Sequence, residues 1–284
     1  PRGQAGVPPA QRDSTRYSVS VRALVLRAAG SNCDHETALA LERAGASAER
    51  VHVNRLLEHD DPDRCLDGVD LLALPGGFTY GDDLGAGRIL GVLLERKLKA
   101  AVQGLVERGG MVIGICNGFQ VLVRAGLLPG TGHAVTLAPN TSGRFEARWT
   151  RLRAETDASP WLKAGEILDL PVAHAEGRLA LGAGVELPAA AVALRYLQPS
   201  DGAPGVAGTA GTSPASYPAN PAGSHDDVAG LIDSTGRILG LMPHPERNIE
   251  PWHRPGWTRR AGAGASGESV GLRLFANAVA HLSG

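Results

Sequence analysis

A short apolar run, Met111–Ile115, leads into Gly114-Ile115-Cys116-Asn117-Gly118, and helical spacing follows over residues 118–128. A buried strand, a glycine-flanked turn and a helix in that order constrain the chain more than any other feature. The flanking glycines let strand and helix approach closely, and the turn holds its central residue in a sharp, strained conformation. Gly-x-Cys-x-Gly is the thiol form of the nucleophile elbow. Cys116 stands at a helix N-terminus, where free N–H groups and the helix dipole favour a thiolate. The Asn117 N–H can then meet an oxyanion formed on a carbonyl that Cys116 attacks. A lone cysteine ending a core strand is more often structural, so the reading depends on partners elsewhere.

The rest of the chain supplies a matching frame. Strand patterns at 21–27, 49–53, 69–74 and Met111–Ile115 alternate with helical patterns at 34–44, 90–108 and 118–128. That alternation predicts βαβ units, a mostly parallel open sheet and flanking helices. Further strands are expected at 168–174, 191–197, Val228–Ile232 and 238–242, with a closing helix at 269–282. Residues 1–20 are polar and read as a disordered arm. Residues 21–284 read as one domain with flexible insertions near 200–224 and 255–267, where Gly, Pro, Ala and Ser predominate.

Composition narrows the function. Lys and Arg total 28 against 29 Asp and Glu, a net charge of −1. Nucleic-acid binders and polybasic membrane-surface proteins show a basic excess, so neither class is expected. No run of about 18 apolar residues exists, so no span is expected. The three cysteines, Cys33, Cys65 and Cys116, form no disulfide framework, which predicts a cytoplasmic setting.

Partners for Cys116 follow from the sheet edge. Pro75-Gly76-Gly77-Phe78 ends the preceding strand, on the edge where open α/β sheets bind ligands. The Gly77 N–H is the expected second oxyanion donor; a plain βα turn is the alternative. Met242-Pro243-His244-Pro245-Glu246-Arg247 ends another apolar strand. In an extended backbone His244 and Glu246 share a face, so Glu246 can orient the imidazole that takes the thiol proton. His174 and Glu176 repeat that spacing and form a rival pair, expected to line the site. Asp82 and Asp83 are expected to cap the next helix rather than hold metal. Cys33 is expected to be structural. The tract holding Trp252, His253, Arg254 and Trp257 suits a surface or a protein interface.

With Cys116, His244 and Glu246 in that order, the sequence resembles the class I (triad) glutamine amidotransferases. Five blocks narrow the resemblance: Ser31-Asn32-Cys33-Asp34, Pro75-Gly76-Gly77-Phe78-Thr79-Tyr80-Gly81-Asp82, Cys116-Asn117-Gly118-Phe119-Gln120, Pro171-Val172-Ala173-His174 and the block around His244. Together they are similar to the glutaminase subunits of phosphoribosylformylglycinamidine synthases. Other triad amidotransferases usually carry Leu-Gly or Tyr-Gly after the cysteine. The resemblance spans about residues 21–282 and implies a flavodoxin-like class I amidotransferase fold. It implies hydrolysis of glutamine to glutamate and ammonia, with Gly76, Gly77, Phe78 and Gln120 at the glutamine. It implies no cofactor or metal in this chain. Ammonia would pass to a large synthetase subunit that uses ATP and magnesium to make formylglycinamidine ribonucleotide from the amide. In many bacteria a small third subunit bridges the two. The family's Asn-Pro-Asn-Gly-Ser block reads Asn220-Pro221-Ala222-Gly223-Ser224 here, so any polar role at position 222 is lost. A catalytically idle scaffold, a thiol peptidase and an amidotransferase serving another synthetase are the competing readings. The intact triad opposes the first, the block around His244 the second, and Asn-Gly-Phe-Gln the third.

Overall fold

Apolar runs that are too short for helices and rich in Leu, Val and Ile become strands buried on both faces, as parallel sheets require. A computed structural model of the protein describes residues 20–130, 134–198, 214–260 and 269–284. In chain order its elements are β1 (Arg22–Arg27), α1 (Asp34–Arg43), β2 (Ser47–His52), α2 (Val53–Leu57), β3 (Leu71–Leu74), α3 (Arg88–Leu93), α4 (Lys99–Glu107), β4 (Met111–Ile115) and α5 (Asn117–Arg124). There follow β5 (Val135–Ala138), β6 (Glu146–Ala154), β7 (Ile167–His174), β8 (Arg178–Leu181), β9 (Val192–Tyr196), β10 (Val228–Ile232), β11 (Ile238–Leu241), α6 (Trp257–Arg260) and α7 (Val270–Ser283).

Nine strands form one open sheet in the order β2-β1-β3-β4-β11-β10-β9-β6-β7, and β5 and β8 form a separate ribbon. The first five are mutually parallel. The last four join through antiparallel pairings. The expected parallel sheet is therefore present, and an antiparallel extension lengthens it. The extension includes β6, which the sequence pattern did not show: Arg148, Arg151 and Arg153 interrupt it and obscure its alternation.

The core is continuous across the parallel strands. Every residue of β3, β4 and β11 is buried. Each fully buried Leu, Val or Ile contributes about 1.5–3 kcal/mol relative to exposure. Helix 90–108 of the sequence reading is divided: α3 and α4 flank a π-helical segment, Leu94–Leu98. The expected loop at 200–224 is built differently at its end. Ala222 is fully buried, and its carbonyl accepts the N–H of Thr141 at 3.0 Å. The Asn220 side chain closes this turn through Ser224 N–H at 2.9 Å. Polar side chains thus replace apolar ones in ordering a Pro/Gly-rich turn. The arm at 1–19 and the stretches 199–213 and 261–268 lie outside the described residues. Among the described residues, no helix is long and apolar enough to cross a membrane.

Candidate active site

The strand order places three loops at one point. β4 lies between β3 and β11, so Pro75-Gly76-Gly77, the elbow and the His244 segment leave adjacent strands at their C-terminal ends. Cys116 N–H donates to Leu241 O at 2.8 Å, which ties the elbow to the strand that carries the histidine.

Cys116 adopts φ 51° and ψ −104°, outside the regions that L-residues favour, as an elbow nucleophile must. The turn survives because glycine surrounds it. A Cβ at Gly118 would lie 1.9 Å from Leu74 O, and one at Gly114 would lie 2.7 Å from Gly118 O. Cys116 is the N-cap of α5, so its sulfur sits at a helix N-terminus. The thiol also faces the Ala173 carbonyl at 3.6 Å.

His244 and Glu246 meet as expected, by a different backbone route. The chain is extended at His244 and then turns through a single helical turn, Pro245–Arg247. Pro245 opens that turn because its fixed φ suits the first position. The result is a buried Nδ1···Oε1 contact of 2.6 Å. The other ring nitrogen, Nε2, has no hydrogen-bond partner, and neither has Glu246 Oε2. Burial works against the imidazolium, but Glu246 and the Cys116 and Cys33 thiols outweigh it and raise the His244 pKa well above 6.5.

The rival pair separates into two structural tasks. His174 is buried, its Nδ1 lies 3.1 Å from Asn140 Oδ1, and Nε2 has no partner. Burial, reinforced by His244, lowers its pKa to about 4. Glu176 instead meets the loop after β3: its carboxylate accepts the Ala86 N–H at 3.3 Å, and its carbonyl accepts the Gln120 amide at 2.6 Å.

The two expected oxyanion donors come from these loops. Gly77 has φ 150° and a Cβ there would lie 2.7 Å from Gly30 O, so only glycine fits. The flanking groups are occupied: Asn32 N–H and Cys33 N–H reach Gly76 O, and Phe78 N–H reaches Gly30 O at 2.9 Å. The Asn117 side chain bridges the same loops. Its Oδ1 accepts Thr79 N–H at 3.2 Å and Thr79 Oγ1–H at 2.7 Å. Its Nδ2 donates to Asp82 Oδ1 at 3.2 Å and Gln120 Oε1 at 2.9 Å. Asp82 also accepts the N–H of Gly87, but Gly87 itself is the N-cap of α3 and no side chain caps that helix, so the expected capping by Asp82 and Asp83 is not what the fold uses. Burial raises the Asp82 pKa despite these two donors. Gln120 lies near the elbow as expected, but both ends of its amide are engaged within the protein. Phe78 is exposed and tilts against Phe145 at 6.4 Å between centroids.

Cys33, expected to be structural, lies beside the His244–Glu246 pair. It is buried at the N-terminus of α1, and its ligand atom lies within 4.8 Å of those of His244 and Glu246. Arg247 donates to its sulfur at 3.0 Å. This trio could approach a metal, but the guanidinium supplies the positive charge there and Glu246 already holds His244. Sequence order hid Cys33 because it precedes its neighbours by most of the chain. Tyr196, on β9, was also missed. Its hydroxyl is buried without a partner, and burial together with the charge of Cys116 raises its pKa.

Residues 20–282 match the model of the CobB/CobQ-like glutamine amidotransferase domain. The phosphoribosylformylglycinamidine synthase subunit PurQ of Dehalococcoides mccartyi is 45% identical over 91% of this chain and 96% of its own. The chain belongs to the PurQ family of glutamine amidotransferases. Its PurQ relative from Methanococcus maripaludis is 32% identical over 92% of this chain and 97% of its own. A chain of the PurLQS structure from Thermotoga maritima superposes with a TM-score of 0.67 at 30% identity, covering 93% of this PurQ-family chain and 99% of that one. The family's amidotransferase fold agrees with the architecture expected from the motifs.

Proposed function

We propose that the chain hydrolyses glutamine and supplies the ammonia to a synthetase that converts formylglycinamide ribonucleotide to the amidine. One observation carries the catalytic part: a strained elbow cysteine lies beside a strand that delivers a buried His244–Glu246 pair at 2.6 Å. Cys116 gives its thiol proton to His244, and Sγ attacks the side-chain amide carbon of glutamine. The carbonyl oxygen gains the electron pair and is met by the N–H groups of Gly77 and Asn117. His244, its imidazolium stabilised by Glu246, gives that proton to the departing nitrogen, and ammonia leaves. Water then attacks the glutamyl thioester, His244 takes its proton, and glutamate and the thiol are released. Gly76, Gly77, Phe78 and Gln120 stand at the glutamine in this reading, with the Gln120 amide exchanging its Glu176 carbonyl for the substrate while keeping Asn117. The acceptor assignment rests on the PurQ relatives. Assembly with a large synthetase subunit that uses ATP and magnesium, and with a small bridging subunit, belongs to the same reading.

The test is labelling with a glutamine-like diazoketone, followed by peptide mass spectrometry. A single adduct on Cys116, blocked by glutamine and absent in Cys116→Ala, supports the site. Labelling confined to Cys33 or Cys65 overturns it. Mixing the chain with the synthetase subunit, ATP, magnesium and formylglycinamide ribonucleotide tests the acceptor. The reading requires glutamine-dependent amidine formation that Cys116→Ala abolishes while free ammonia still supports it.

A further inference from the structure

We infer that the Asn117 side chain is a positioning residue that locks the two oxyanion donors into one unit. This rests on the glutaminase reading above and adds a task for an amide that the elbow pattern leaves unspecified. One donor is the backbone N–H of Asn117 itself. The other is on Gly77, in a separate loop whose strand packs beside β4. Two N–H groups on different loops converge on one oxygen only if the loops are held in register.

The structure shows what holds them. On both sides of Gly77, Asn32 N–H to Gly76 O and Phe78 N–H to Gly30 O pair the loop with the segment after β1, and Tyr80 N–H to Ala29 O at 2.7 Å extends that pairing. Thr79 ties the loop to the elbow instead: both its backbone N–H and its hydroxyl donate to the one Asn117 Oδ1. Asn117 and Thr79 are both buried, so these bonds act in a medium that strengthens them. The Asn117 amide cannot turn over. Its Nδ2 is committed to Asp82 and Gln120, which fixes Oδ1 toward Thr79. The residue that presents one donor therefore grips, through its side chain, the segment that presents the other.

Only Asn satisfies this geometry among small residues. Asp would lose both Nδ2 donations and set its charge against Asp82. Leu would leave Thr79 N–H, Thr79 Oγ1 and Asp82 without their partner. Just past Thr79 the loop holds two non-glycine residues in the left-handed region, Tyr80 at φ 56° and Asp82 at φ 53°. Backbone strain of that kind persists where surrounding bonds over-determine it.

The test uses the chain together with its synthetase subunit, with Asn117→Ala, Thr79→Val and Thr79→Ser compared with the parent. Misplacing a transition-state donor by a fraction of an ångström lowers kcat and leaves ground-state binding largely intact. Asn117→Ala and Thr79→Val are expected to lower kcat for glutamine hydrolysis about 10-fold to 100-fold. KM should move less than about threefold, and stoichiometric diazoketone labelling of Cys116 should persist. Thr79→Ser, which keeps the hydroxyl, should restore kcat to within about threefold of the parent. The pH profile should stay in place, since neither residue titrates. Thr79→Val decides the matter if Asn117→Ala does not fold. A kcat within twofold of the parent in Thr79→Val overturns the inference. So does a Thr79→Ser variant as impaired as Thr79→Val, or a loss carried by KM and labelling instead of kcat. Failure of the underlying reading looks different: the parent chain itself would lack glutamine-protected labelling at Cys116.

Discussion

Replacing Gly76 by Ala tests whether the position of His244 sets the rate. The backbone at Gly76 has no positive φ, so alanine meets no conformational strain there. Its Cβ would lie 2.8 Å from His244 Cε1 and 3.1 Å from Cys33 Sγ, where ordinary contact begins near 3.4 Å. The ring must therefore retreat by about 0.6 Å. It has little room, because His244 is buried and Nδ1 is held by Glu246 at 2.6 Å. A 1 Å misplacement costs on the order of 100-fold, so a shift of this size should lower kcat by about tenfold or more. The overpacking should cost only about 1–3 kcal/mol in stability, leaving the chain folded at 25 °C. The assay is glutamate release in the presence of the synthetase subunit, with a denaturant melt on the same sample. A folded Gly76→Ala chain with unchanged kcat would refute the reasoning, since the imidazole would then tolerate displacement that proton transfer should not.

Three further outcomes follow from the same geometry. In Glu246→Gln the carboxylate that raises the His244 pKa is gone; hydrolysis should fall about 100-fold, and the limb of the pH–rate profile set by His244 should move to lower pH. An unmoved limb would show that another group sets it. His174 has its pKa lowered from 6.5 to about 4, so its neutral form is the one the fold favours. That contribution is fully present above pH 6.5 and is lost as pH falls toward 4, to a limit of about 3 kcal/mol. Urea midpoints should therefore drop more steeply between pH 6.5 and 4 in the parent than in His174→Gln; equal slopes would remove the histidine from the explanation. The His244 shift has the opposite sign and acts above pH 6.5, so the two do not overlap. Gly118→Ala places a Cβ 1.9 Å from Leu74 O, which should cost about 3 kcal/mol or more and part α5 from β3. A melt within about 1 kcal/mol of the parent would contradict the close approach of elbow and strand.

Local signals carried the parallel half of the sheet, the elbow at Cys116 and the His244–Glu246 pair. Met111–Ile115 is wholly apolar and is punctuated by glycines, and the Pro243 and Pro245 pair marks the turn that brings Glu246 back to His244. These features act within a few residues, so spacing alone reveals them. The remainder is non-local. Cys33 sits near His244 because Cys33 N–H pairs with Gly76 O and both side chains crowd the Cα of Gly76, a relation absent from any one segment alone. Nothing in the local sequence marks Asn140, yet it is buried and its side chain meets His174, Gly177 N–H and Arg144 O. Tyr196 reads as an ordinary strand aromatic until its buried hydroxyl is found without a partner. β6 escaped notice because its arginines form ion pairs at the sheet surface with Glu146, Glu155 and Asp169.

The place of β11 between β4 and β10 has a consequence for biosynthesis. Cys116 emerges from the ribosome long before His244, and the strand that carries the histidine enters the sheet among the last. Until Ile238–Leu241 inserts, β4 is an unpaired apolar edge, the kind of surface that recruits stray strands. The same delay keeps Cys116 apart from His244, and their segments come together only once β11 has joined the sheet.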